Sequence, residues 1–174
     1  MFLIITGNGK GKSTSAIGMA IRGSGWAKKT AMAFFDKGGS HYGEQHTFDL
    51  LQESISVLRF GEQRFDEKTG TFRFGVTDKD RSEVARGIKE ISLLMEQGYF
   101  LIICDEIINC LNLGMTDKES VLSLIEKCPP ETHLVFTGRN APEWMIEKAD
   151  LVSEVKEVKH YFKKGVKAIK GIDF

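Results

Sequence analysis

From position 7 the chain reads Gly-Asn-Gly-Lys-Gly-Lys-Ser-Thr, ending at position 14. Glycines let successive backbone N–H groups converge on an anion without a Cβ in the way, and a following helix adds the positive end of its dipole. Gly7, Asn8, Gly9, Lys10, Gly11, Lys12, Ser13 and Thr14 therefore form a candidate polyphosphate cradle. Lys12 contributes a point charge, and the Ser13 hydroxyl suits a Mg²⁺ ion. The usual loop places four residues between its first glycine and the Gly-Lys-Ser/Thr end. Here only three separate Gly7 from Gly11, and one of them, Lys10, is a second cation that ordinary loops do not require.

Two further groups suit the same chemistry. Asp105 and Glu106 close the apolar run Phe-Leu-Ile-Ile-Cys at 100–104. A buried strand ending this way delivers carboxylates to the sheet edge where phosphate-bound Mg²⁺ is organised. Arg139, in Thr-Gly-Arg after a fifth apolar run, is a candidate by its position at the same edge. Arg22, Lys37 and Glu44 are weaker candidates. No nucleophile–base pair is legible: His41, His46, His133 and His160 are dispersed, and Cys104 lies inside an apolar run and reads as core.

These groups need a scaffold. Short β-rich runs at Phe2 to Ile5, Ala31 to Phe35, Ile55 to Phe60, Phe100 to Cys104 and Leu134 to Phe136 alternate with helical patterns. The helices are predicted over Lys12 to Gly23, Asp78 to Glu96 and Lys118 to Lys127. Such alternation predicts a parallel sheet covered on both faces. Right-handed crossovers then gather the loops after the strands at one edge. The glycine loop, Asp36 to Glu44, Cys104 to Cys110 and the segment around Arg139 should meet there. The segment from Gly61 to Thr77 has little periodic signal, and the end of the chain starts as an alternating strand and then turns basic.

Composition bounds the rest. The 174 residues suit one domain, spanning 1–174. Twenty-four basic and 24 acidic residues cancel, which argues against nucleic acid as a partner. Three cysteines form neither a metal pair nor an even disulfide set, and no apolar run reaches the length of a membrane span. A soluble, cytoplasmic protein is expected.

The glycine-lysine loop, Asp-Glu-Ile at 105–107, Thr-Gly-Arg-Asn-Ala-Pro-Glu at 137–143, the run 149–160 and the ending Gly-Val-Lys-Ala-Ile-Lys-Gly-Ile-Asp-Phe together resemble the P-loop ATP:corrinoid adenosyltransferases, nearly end to end. The resemblance implies an α/β, P-loop NTPase-like (RecA-like) fold, three-layer α/β/α with a mostly parallel sheet. It implies transfer of the 5′-deoxyadenosyl group from ATP to reduced corrinoid, with triphosphate released and ATP lying along the loop opposite to its usual direction. The short loop then reads as an adaptation to a triphosphate leaving group, with Lys10, Lys12 and Glu106 in catalytic roles, Ser13, Asp105 and Glu106 on Mg²⁺, and Arg139 and Arg22, which match arginines of the family, on phosphate or ribose. Phe72 and Phe74 fall at about the position of the family's Phe-x-Trp pair, implied to displace the corrin's lower axial ligand, with Phe65 a competing candidate. The resemblance also implies a homodimer and a flavodoxin-like reductant; Lys163, Lys164, Lys167 and Lys170 would steer either an acidic corrinoid or that reductant. Better-known members carry a stretch before the first strand that covers the site, whereas this chain opens on that strand. An ordinary P-loop ATPase or kinase and a nucleotide-binding regulatory module remain alternatives on sequence alone.

Overall fold

The structure, a computed structural model, describes residues 1–38, 42–66, 71–73 and 75–174. Six strands build the main sheet: β1 (Phe2–Thr6), β2 (Thr30–Phe35), β3 (Ile55–Phe60), β6 (Leu101–Asp105), β7 (His133–Thr137) and β8 (Leu151–Glu154). Between β3 and β6 a short antiparallel pair, β4 (Phe65–Asp66) and β5 (Thr71–Phe72), forms a separate two-stranded sheet. The main order is β3-β2-β6-β7-β1-β8, with every neighbouring pair parallel. A sheet expected to be mostly parallel is thus parallel throughout its main part.

The helices are α1 (Lys12–Gly25), α2 (Gly43–Leu50), α3 (Asp78–Glu96), α4 (Ile107–Asn112), α5 (Lys118–Glu126) and α6 (Glu143–Lys148). Strand residues alternate between two cores, because successive side chains point to opposite faces. Met32, Phe34, Ile103 and Val135 meet Ala16 and Ala20 of α1 and Phe48 of α2. Ala33, Phe35, Cys104 and Phe136 meet Val84, Ile91 and Met95 of α3, with Ile107, Val121 and Met145 from the later helices. These are the three layers.

Small residues decide how closely the helices approach. Ala16 and Ala20 lie on the α1 face that follows Lys12 at intervals of four, so the helix settles on the sheet with its N-terminal end at the strand tips. On the other face, a Cβ at Gly87 of α3 would sit 2.5 Å from the Phe35 ring. The entrance to α3 is fixed by a capping box, in which Thr77 Oγ1 accepts from the Asp80 N–H while the Asp80 carboxylate accepts from the Thr77 N–H.

Three short helices and the hairpin differ from the sequence expectation. α4 and α6 have six residues each and α2 has eight, too few turns for a clear helical period. The β4–β5 pair is held from outside by buried charge: Arg64 Nε donates to Asp36 Oδ1 at 2.5 Å, and Arg73 makes a two-point contact with Asp80 at 2.8 and 2.9 Å.

Candidate active site

Strand order places the chemistry. Because β7 lies between β1 and β6, Thr6, Thr137 and Asp105 end side by side at the C-terminal edge. The loop from Gly7 to Gly11 leaves β1 there and enters α1. Gly7 adopts φ +101°, and a Cβ on it would lie 2.4 Å from the Val155 carbonyl oxygen. A Cβ on Gly9 would come within 2.7 Å of the Lys156 backbone, and the Gly9 N–H donates to Val155 O at 2.7 Å. The backbone beyond β8 thus runs directly against the loop, and only glycine permits that approach.

Lys12 is buried and folds back on its own loop, Nζ donating to Gly7 O at 2.8 Å and Gly9 O at 2.9 Å. Burial lowers its pKa from the ordinary value, against the opposing pull of Glu106. Facing it, Asp105 is fully buried and accepts from Thr137 Oγ1 at 2.6 Å and from Lys37 Nζ at 2.6 Å. The same ammonium donates to Ser13 Oγ at 3.0 Å. Lys37 also lies 5.7 Å from the Phe34 ring centre and 5.4 Å from that of Tyr42. Desolvation would depress its pKa, but the charges of Asp105 and Glu106 outweigh it and hold the amine protonated. An ammonium therefore spans the two oxygens expected to serve a metal.

Glu106 takes a left-handed backbone, φ 66°, where β6 turns into α4. Its N–H donates to Thr137 Oγ1 at 2.9 Å, and its carboxylate accepts from the Asn109 amide. Burial, then the neighbouring Asp105 charge, raises its pKa. A strained backbone at such a turn is characteristic of functional sites. The Arg139 N–H is tied to Asn109 Oδ1 at 2.7 Å, so α4 supports both Glu106 and the loop carrying Arg139.

One cavity of about 630 Å³ collects these groups, lined by Asn8 to Thr14, Lys37, Glu106 and Arg139 among others. All four loop segments expected at the ligand edge contribute to it. Gly7 contributes through its carbonyl to Lys12 rather than as lining, and Asp105 stands behind Lys37 and Ser13. Arg22 is exposed in the last turn of α1, at the far end from the loop. Phe72 pairs through its backbone with Phe65, and Phe74 lies outside the described residues. Among described residues, no cluster of three His, Cys, Asp or Glu forms a metal cage.

Sequence reasoning underrated Lys37. Its position two residues past β2 was the available signal, since the ends of parallel strands face the ligand edge. It used the chain's end as part of the resemblance but did not place it at the site: Gly171, Ile172, Asp173 and Phe174 form part of the same cavity wall, and Asp173 Oδ1 pairs with Lys10 Nζ at 2.7 Å.

Over residues 1–174 the sequence matches the family described as ATP:corrinoid adenosyltransferase BtuR/CobO/CobP. It is 36% identical over 178 residues to the Corrinoid adenosyltransferase of Pseudomonas aeruginosa, covering 100% of this chain and 83% of that protein. The Corrinoid adenosyltransferase of Escherichia coli K12 is 30% identical over 178 residues, covering 100% of this chain and 85% of its own. Among solved structures, a KaiC-like protein from the hyperthermophilic archaeon Pyrococcus horikoshii OT3 superposes with a TM-score of 0.54 at 13% identity, covering 91% of this chain and 72% of that one. That likeness concerns the fold alone, which is P-loop NTPase-like (RecA-like).

Proposed function

The chain belongs to the ATP:corrinoid adenosyltransferase family BtuR/CobO/CobP, and on that premise we propose how its residues carry the transfer. The 5′-deoxyadenosyl group of ATP passes to the cobalt of a reduced corrinoid. The Co(I) electron pair forms the new cobalt–carbon bond at ribose C5′, while the C5′–O bond breaks and its electron pair leaves with triphosphate. The corrinoid brings the nucleophile, so the protein's task is to bind, orient and stabilise charge.

The observation that carries this reading is the convergence of Lys12, Ser13, Lys37, Glu106 and Arg139 on one cavity at the C-terminal edge of the sheet. Negative charge gathers on the departing triphosphate in the transition state. Fixed donors and cations aimed at it lower the barrier without having to reorganise. Backbone N–H groups of the loop, Lys10 and Lys12 fill that role, and the short loop keeps both lysines near the departing chain. Arg139 holds phosphate or ribose. The Ser13 hydroxyl and the Asp105 carboxylate both aim at a single cation position, which fits Mg²⁺ completed by phosphate oxygens. Ser13, Asp105 and Glu106 would hold that ion, and once bound it would offset triphosphate charge. Phe72 and Phe74 act on the corrin's lower face.

The span 1–174 acts as one catalytic domain, as a cytoplasmic homodimer supplied with electrons by a flavodoxin-like reductant; the family relationship supports this reading. Among described residues no helix is long and apolar enough to cross a membrane. Lys164, Lys167 and Lys170 are exposed for steering such a partner, while Lys163 pairs with Glu157 at 2.5 Å.

The test is anaerobic incubation with ATP, Mg²⁺ and chemically reduced cobalamin, following the absorbance of adenosylation together with triphosphate. Equal amounts of adenosylated corrinoid and triphosphate are expected. Release of ADP or inorganic phosphate without adenosylation would instead mark an ordinary P-loop ATPase or kinase. Alanine at both Phe72 and Phe74 should suppress turnover from cob(II) more than from supplied cob(I); equal losses would remove the two rings from the mechanism.

A further inference from the structure

In the last ten residues, Gly165 to Phe174, the proposed function uses only the exposed Lys167 and Lys170 and leaves the final turn without a task. The segment curls into a compact turn, with Ile172 N–H and Asp173 N–H both donating to Ile169 O, at 3.0 and 2.8 Å, and Gly171 N–H donating to Phe174 O at 2.8 Å. The turn presents the Asp173 carboxylate to the phosphate loop. That carboxylate accepts from Tyr161 Oη at 2.6 Å to each oxygen and from the Ile169 N–H at 2.7 Å, and it pairs with Lys10 Nζ at 2.7 Å. These donors hold its pKa well below the ordinary carboxylate range. Tyr161 in turn begins a single 3-10 turn, Tyr161–Lys164, in which the Phe162 N–H donates to His160 Nδ1 at 3.1 Å.

We propose that Asp173 is a positioning residue for Lys10: braced by Tyr161 and the Ile169 N–H, it holds the loop's extra lysine at the cavity wall, where its ammonium meets the triphosphate chain. The inference rests on the reading of Lys10 as a triphosphate cation. Two effects of the carboxylate oppose each other. A bare negative charge beside a polyanion repels it, but this one is already answered by an ammonium, a phenol and an amide N–H, which leaves little field at the cavity. Lys10, by contrast, has a side chain 39% exposed and sits on a glycine-flanked crest. Without its anchor it would regain the rotamer freedom of a solvated lysine, among the largest of any side chain. Ordering therefore outweighs repulsion. An ammonium has three donors, so Lys10 can keep Asp173 and still reach phosphate.

Isothermal titration with inorganic triphosphate tests this on the full chain. Lys10→Met is expected to weaken binding about tenfold or more, as loss of a charge-assisted contact. Asp173→Asn should weaken it about fivefold to thirtyfold, the effect of releasing a lysine's rotamers. Combining the two should be no worse than Lys10→Met alone, since Asp173 acts through Lys10. Asp173→Glu, which keeps the charge, should recover most of the affinity, and the milder Tyr161→Phe should lose part of it. Melting curves of each variant separate binding from folding. Unchanged or tighter binding by Asp173→Asn overturns the proposal, as do additive losses in the double variant, which indicate a merely structural tail. No effect from Lys10→Met overturns it too, and places the fault in the reading of Lys10 rather than in the role of Asp173.

Discussion

Lys37→Met removes an ammonium while keeping much of the side chain's length and apolar bulk, which isolates its charge. In the parent protein Nζ answers a carboxylate with no solvent exposure, 2.6 Å away, and is itself only 13% exposed in its side chain. Removing one partner of a buried pair costs about 3–5 kcal/mol, because the other charge is left unanswered in a poor solvent for it. Asp105 retains the Thr137 hydroxyl, also at 2.6 Å, which argues for the lower end. For a chain of this size about 3 kcal/mol corresponds to a fall of roughly 6–12 °C in melting temperature. Differential scanning fluorimetry without nucleotide or metal measures it. Added Mg²⁺ and ATP should narrow the gap, since the divalent cation proposed on Ser13 and Asp105 would take over the missing charge. A variant melting within about 2 °C of the parent without ligands, under about 1 kcal/mol at this size, would refute the reasoning.

Lys12→Ala should leave a folded protein that has lost adenosylation by a hundredfold or more, on the order of the few kcal/mol that one fixed transition-state donor supplies; retained turnover alongside intact ATP binding would contradict its role. Gly9→Ala forces a methyl group to within 2.7–2.8 Å of the Val155 and Lys156 backbone, so it should cost about 1–3 kcal/mol of stability and weaken ATP binding with it, as read by thermal melting and nucleotide titration; parental values for both would show that the loop yields freely. Asp80 governs an acid limb: its two-point contact with Arg73 and its bonds from Thr77 hold its pKa well below the ordinary 3.8. Its stabilising contribution is therefore present above about pH 4 and is lost as pH falls through the lowered value. Asp80→Asn should lower the melting temperature clearly at pH 7 and by a smaller margin at pH 3, the difference closing only as pH falls further toward the lowered value, and a pH-independent difference would count against this assignment.

Much of the framework was legible because it depends on local periodicity. α3 was read over Asp78–Glu96 with the bounds it has, since nineteen residues supply several turns of apolar spacing. The strands matched to within a residue or two because parallel strands buried on both faces appear as unbroken apolar runs. α4 and α6 escaped because six residues barely exceed one period. Lys12, Ser13, Asp105 and Glu106 were identified as neighbours from a topological rule, that parallel strands with helical crossovers deliver their following loops to one edge.

Residue types and their spacing thus determined, by themselves, that the chain folds as a covered parallel sheet with a glycine-lysine loop opposite two carboxylates. Tertiary structure alone decided how those charges are paired. Lys37 bridges Ser13 and Asp105, partners 24 and 68 residues away. The bond from Lys10 to Asp173 joins the first loop of the chain to its last turn. Ion pairs of this kind have no sequence period: one arises where the adjacent strands β2 and β6 end side by side, the other where the chain after β8 runs back to the glycine loop, and they persist because a buried or braced charge is stabilised by its opposite.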